Sequence, residues 1–97
     1  MVITQVDAHV APERWQELRE AYLSMTASLE PGIVRTYLLQ DTEDRTLWRV
    51  ATVWKSMEAL DEYRRSVEVP GAFLLFRSVG AEPTRAIFEV AEYAAGT

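Results

Sequence analysis

Hydrophobic and polar positions change period several times along the chain, and each change marks an element. In residues 2–10 (VITQVDAHV), Val2, Val6, Ala8 and Val10 fall on one side and Gln5, Asp7 and His9 on the other, the alternation of a half-buried strand. Pro12 then presets helical φ in a first turn and Glu13 suits the positive end of a helix dipole. Trp15, Leu18, Tyr22, Met25 and Leu29 follow at alternating spacings of 3 and 4. This predicts an amphipathic helix over 12–30, stopped by Pro31-Gly32, because proline disfavours helical backbone in the residue before it. Residues 33–40 (IVRTYLLQ) and 45–54 (RTLWRVATVW) are rich in β-branched and aromatic side chains and flank the polar cluster Asp41-Thr42-Glu43-Asp44, so they read as a hairpin. Ser56 is a good N-cap, and Met57, Leu60, Tyr63 or Arg64, and Val67 place an apolar stripe on a second helix that ends near 69–71. Residues 72–79 (AFLLFRSV) fit either a short helix or a packed loop. Pro83 introduces a last strand over 84–93, and the tail AAGT belongs to no element.

The order is β-α-β-β-α-β, an α+β chain of the ferredoxin-like plait type, forming one domain over residues 1–97. Two strand-helix-strand units interleave into one antiparallel sheet with the helices on one face and the first and third strands central. The other sheet face is bare and partly apolar, which predicts a homodimer packed sheet to sheet.

Composition narrows the function classes. Ten basic against fifteen acidic residues give a net charge of −5, so a phosphate backbone meets net repulsion and nucleic acid is not an expected partner. No cysteine is present, which removes disulfides, thiolate nucleophiles and cysteine metal sites. The first residues lack the pattern of a secretory signal, so cytoplasmic is the default expectation. The densest apolar run, residues 72–76, is far below the roughly 18 residues that span a bilayer, so no membrane partner is expected.

Polar candidates for chemistry are sparse. The single histidine, His9, shares its strand face with Asp7 and Gln5, and no second imidazole exists to complete a typical zinc shell; no metal site is expected. Glu13, Glu17 and Glu20, and Glu58, Asp61 and Glu62, sit at the spacing of solvated helix faces. No serine lies in a GxSxG elbow and the glycines form no phosphate cradle, so no nucleotide cofactor is expected. Aromatic side chains make up 10% of the chain. Trp15 and Tyr22 on the first helix, Tyr63 on the second, Phe73 and Phe76 after it, and Trp54 at the end of the third strand converge between helices and sheet. Such a set reads equally as a filled core or as a cleft for a small aromatic ligand.

Residues 50–66 (VATVWKSMEALDEYRRS), preceded by Glu30-Pro31-Gly32 and followed by PGAFLLFRSVG and IFEVAEY, resemble the antibiotic biosynthesis monooxygenase family, over Val2 to Tyr93. The resemblance implies a dimeric α/β barrel with a pocket between sheet and helices in each protomer. It also implies an oxidoreductase of the kind that oxygenates phenolic or anthrone-like rings without a cofactor, or one that degrades haem. Carried over by position, Trp54 matches the family's strand-end tryptophan and Arg77 its helix-proximal arginine.

Candidate catalytic residues are therefore Trp54, as wall and hydrogen-bond donor, Tyr63, as proton donor or acceptor, and Arg77, as charge stabiliser. Candidate substrate-binding residues are Trp15, Tyr22, Phe73 and Phe76. The chain departs from the oxygenase pattern at Val50, where the family has asparagine, and at Leu60, where it has tyrosine. It departs from the haem-degrading pattern at Val6, Tyr63 and Phe73, the last standing where those relatives have a histidine ligand, which disfavours haem turnover. The expected function is cofactor-independent oxygenation of a small aromatic or quinol-like substrate. A non-catalytic small-molecule binder, a polyketide cyclase-like protein and a fully packed interaction module are the alternatives.

Overall fold

A strand keeps its alternation only when its two sides meet different surroundings, and β1 (Val2–His9) does so. In the computed structural model, which describes all 97 residues, Val2, Val6 and Ala8 are buried under the helices while Asp7 and His9 lie on the opposite face. A 3₁₀ turn over Pro12–Arg14 leads into α1 (Trp15–Met25). Arg14 anchors this entry: its guanidinium pairs with Glu17 at 2.9 Å and donates to the Ser78 carbonyl at 3.0 Å.

The first helix stops five residues earlier than its apolar spacing predicts. Its last turn tightens, with the Ala27 N–H donating to the Ser24 carbonyl, and the Thr26 hydroxyl donates to the Tyr22 carbonyl at 2.8 Å. Residues 26–32 then cross one end of the sheet as a loop. Met25 and Leu29 continue the helical spacing in sequence but are 36% and 46% exposed, because they face a cavity and not the core.

The hairpin forms as expected from β2 (Ile33–Gln40) and β3 (Leu47–Trp54), with a bulge between Ile33 and Arg35. Its turn is held by the Asp41 carboxylate, which accepts from the N–H groups of Asp44 and Glu43 at 2.7 and 3.0 Å. These bonds hold the Asp41 carboxyl below its ordinary range. The Ser56 hydroxyl accepts the Ala59 N–H at 3.1 Å and caps α2 (Met57–Ser66). Of the two readings of residues 72–79 the helix is correct: α3 spans Gly71–Ser78 and buries Leu75 and Phe76. The last strand, β4 (Thr84–Glu89), ends four residues before Tyr93, since Val2 faces Glu89 and the Val90 N–H makes the last ladder bond, to the Met1 carbonyl.

The sheet is antiparallel throughout, in the order β2-β3-β1-β4, with β1 and β3 central and all three helices on one face. This is the ferredoxin-like plait with an added helix. No helix is long and apolar enough to cross a membrane. Beneath the helices the core falls into two clusters. The larger contains Val6, Val50, Leu18, Trp48, Leu75 and Phe76, the smaller Val2, Trp54, Ala59 and Leu60. The opposite face has no cover: Tyr37, Leu39 and Phe88 are 44%, 43% and 52% exposed, and the same face carries a bidentate Asp7–Arg49 pair at 2.6 and 2.8 Å.

Gly32 carries the junction of loop, β2 and α2. Its φ is +95°, and a Cβ there would come within 2.7 Å of the Ala59 Cβ. Gly32→Ala is expected to lower stability by about 2–4 kcal/mol in urea unfolding. Adding Ala59→Gly recovers part of the loss by removing the clash. Gly96→Ala, with nothing near its added methyl, leaves the midpoint unchanged.

Candidate functional site

Three strands each place a threonine on the inward face at the same level. Thr36 on β2 is the register partner of Thr52 on β3, and Thr52 is the partner of Thr4 on β1. The row runs across the sheet between two apolar rows, Val50 and Val6 on one side and Trp54 and Val2 on the other. The two core clusters are thus separated by three hydroxyls. Over this row lies a cavity of about 150 Å³ that opens to solvent.

Its walls come from the helices, the strand ends and the loop after α1. Trp54 and Tyr63 stand together, ring centroids 5.2 Å apart and planes inclined by 36°. Phe73 comes from the start of α3, Leu60 from α2, and Met25 and Leu29 from the end of α1 and the loop after it. Two guanidinium groups, Arg64 and Arg85, line it against one carboxylate, Glu30. Arg64 is paired with Asp61 at 3.9 Å, so Arg85 is the guanidinium of the lining without an ion-pair partner.

Hydrogen bonds set the direction of the polar groups. The Trp54 Nε1–H donates to Thr4 Oγ1 at 3.2 Å, and Thr36 Oγ1 and Thr52 Oγ1 are bonded to each other at 3.2 Å. Tyr63 accepts the Gly71 N–H at 2.8 Å, which ties the first turn of α3 to α2 and leaves the phenol proton to donate elsewhere.

Of the seven residues singled out from sequence, Trp54, Tyr63 and Phe73 meet in this cavity and the other four do not. Phe76 is fully buried in the larger core cluster. Trp15 packs edge-on against Trp48 at 5.8 Å and donates its Nε1–H to the Val10 carbonyl. Tyr22 borders a separate shallow groove with Arg19, Leu38 and Trp48. Arg77 pairs with Glu82 at 3.4 Å and covers the Phe73 ring from outside the cavity lining. The indole of Trp54 also differs from expectation, since its N–H already has Thr4 as partner. Arg85 and the three threonines were not singled out. The strand alternation carried a signal for the threonines, because Thr4 shares parity with Val2 and Val6, and Thr52 with Val50 and Trp54.

The family model for antibiotic biosynthesis monooxygenases matches residues 1–73. The chain belongs to the antibiotic biosynthesis monooxygenase family. No curated protein matches it at a significant level. Among solved structures, a Deinococcus radiodurans protein assigned as an antibiotic biosynthesis monooxygenase superposes with a TM-score of 0.75 at 14% identity, covering 100% of this chain and 99% of that one. SnoaB, a cofactor-independent oxygenase from Streptomyces nogalater, gives 0.67 at 20% identity over 95% and 94%. The haem degrader MhuD from Mycobacterium tuberculosis, solved with two haems in its active site, gives 0.70 at 20% identity over 98% and 100%. These likenesses establish the fold.

Within this member of the family, the positions that depart from the oxygenase and haem-degrading patterns, Val6, Val50, Leu60 and Phe73, all line the cavity as apolar surface. No histidine or cysteine lines the cavity. The one imidazole, His9, is on the far face of the sheet, bonded to Thr46 Oγ1 at 3.1 Å. No three His, Cys, Asp or Glu side chains converge anywhere.

Tyr63→Phe removes the acceptor of the Gly71 N–H while keeping the ring. A loss of about 1–2 kcal/mol is expected, with faster hydrogen exchange at the Gly71 amide. Unchanged exchange there would show that the phenol does not hold α3.

Proposed function

We propose that this protein binds a one- or two-ring oxygenated aromatic in the cavity above the threonine row and oxygenates it with dioxygen and no cofactor. The observation that carries this reading is an apolar, ring-walled cavity lined by the unpaired guanidinium of Arg85 and a row of hydroxyls. Family membership supports it. In such a reaction a phenol takes up dioxygen. One oxygen atom replaces a ring hydrogen and becomes the second carbonyl of a quinone; the other leaves as water with the two hydrogens lost. The substrate supplies every electron.

The chain's part is to favour and protect the phenolate. Trp54, Tyr63 and Phe73 hold the ring and exclude water from one side of it. Arg85, on the inward face of β4 with no ion-pair partner, supplies the charge stabilisation expected of Arg77. The phenol proton leaves through the open mouth, where Glu30 is the only carboxylate of the lining. A non-catalytic binder is the second reading, favoured by Val50 and Leu60, whose apolar side chains offer a reacting ring no polar contact.

Oxygen-electrode assays with phenol and 1-naphthol test the reaction. Protein-dependent uptake is expected with at least one of them, falling by at least about tenfold in Arg85→Gln and staying within about twofold in Arg77→Gln. Saturable binding without uptake selects the binder.

We further propose that a second copy covers the bare sheet face. Large apolar side chains on an uncovered sheet need a partner, and Tyr37, Leu39 and Phe88 share this face with an ion pair already satisfied within the chain. Sedimentation is expected to show a dimer at micromolar concentration, and Leu39→Glu to weaken it by at least about thirtyfold. A monomer at that concentration would sink this part of the reading.

A further inference from the structure

Two hydroxyl protons under the cavity have no acceptor in the protein. An indole N–H can only donate, so Thr4 Oγ1 is the acceptor in its bond with Trp54, and no acceptor in the protein takes the Thr4 proton. Thr36 and Thr52 share one bond between two hydroxyls, which leaves one of their two protons without an acceptor. Thr52 is only 8% exposed, so its hydroxyl group has little access to bulk water outside the cavity. Tyr63 accepts from Gly71 and has its own proton to give. The guanidinium groups of Arg64 and Arg85 are donors only. The polar part of the lining is therefore rich in donors, set within apolar rows on both sides along the strands.

We propose that the threonine row, Thr4, Thr36 and Thr52, is the specificity-determining floor of the site. It accepts rings that carry an acceptor oxygen, a carbonyl or a phenolate, and discriminates against the same ring without one. This rests on the ligand reading above and goes beyond it by assigning recognition of the oxygen to residues that were not singled out in the sequence. A buried hydroxyl proton without an acceptor is unfavourable, and a hydrocarbon placed over the row displaces the water that would satisfy it. A ring ketone restores the bond. The oxygen lies between the Val6–Val50 and Val2–Trp54 rows, so it projects from within the apolar outline of the ligand and not from its far end.

The probes are 1-tetralone and tetralin, which share a ring skeleton and differ in one carbonyl. Their affinities are compared by ligand-detected NMR titration. The wild-type protein is expected to prefer the ketone by about tenfold. In Thr36→Val/Thr52→Val the preference falls to within about threefold, through weaker ketone binding with tetralin binding unchanged or tighter. Thr36→Ser/Thr52→Ser, which retains the hydroxyls, keeps it. Thr4→Val is the less decisive variant alone, because it also releases the Trp54 N–H as a donor; added to the valine pair it separates the two contributions. Urea unfolding monitors folding, and the valine pair is expected to be at least as stable as wild type. Equal affinity for the two probes in the wild type, or an undiminished preference in the valine pair, overturns the inference while leaving the cavity as a binding site. Failure of both probes to bind the wild type overturns the ligand reading as well.

Discussion

Three hydroxyls interrupt an otherwise apolar layer, and the shape of the interior follows from that interruption. A threonine can lie under a helical layer only if its oxygen is bonded, and here the sheet register makes that feasible. Thr36 and Thr52 are neighbours across β2 and β3 and satisfy each other, while Thr4 receives the indole N–H of Trp54. Helix side chains do not fill the space above. The core closes on either side of the row as two clusters, and the gap between them is the cavity. Were it dry and sealed, about 150 Å³ of empty space would cost about 3–4 kcal/mol. That is a sizeable part of the roughly 5–15 kcal/mol that stabilises a typical small domain. Water at the open mouth lessens the cost, and an occupant that fills the space stabilises the folded state in proportion to its affinity.

The two faces of the sheet thereby take different roles. The inward face presents hydroxyl donors and the Arg85 guanidinium in an apolar frame. The outward face carries exposed rings and branched side chains together with an ion pair whose two partners are already matched within the chain. Burying a matched pair under a second sheet is far less costly than burying an unmatched charge. Loop 26–32, which begins where α1 stops early, links the roles: it roofs one side of the cavity and delivers Gly32 into the close approach to Ala59 that positions α2.

Much of this was legible before any coordinates. The alternation of β1, the hairpin, the Ser56 cap and the order of elements follow from local rules, because each depends on residues within a few positions of one another. Membership of the antibiotic biosynthesis monooxygenase family was legible too, as was the meeting of Trp54, Tyr63 and Phe73. The end of α1 was not. Met25 and Leu29 have the spacing of a core stripe, and apolar spacing is the same whether the opposing surface is packed side chains or a cavity. Phe76, Trp15 and Tyr22 were placed near the site for the same reason, and Arg77 turned out to pair with Glu82 outside it.

The sequence by itself determined which side of its own element each residue occupies, since backbone geometry alternates side chains in a strand and returns them every three or four residues in a helix. Only the tertiary structure decided what stands opposite. Thr4, Thr36 and Thr52 are separated by 16 to 48 positions in the chain, and nothing local requires them to align. Sheet register brings them into one row, and the meeting of helices over that row makes it a floor.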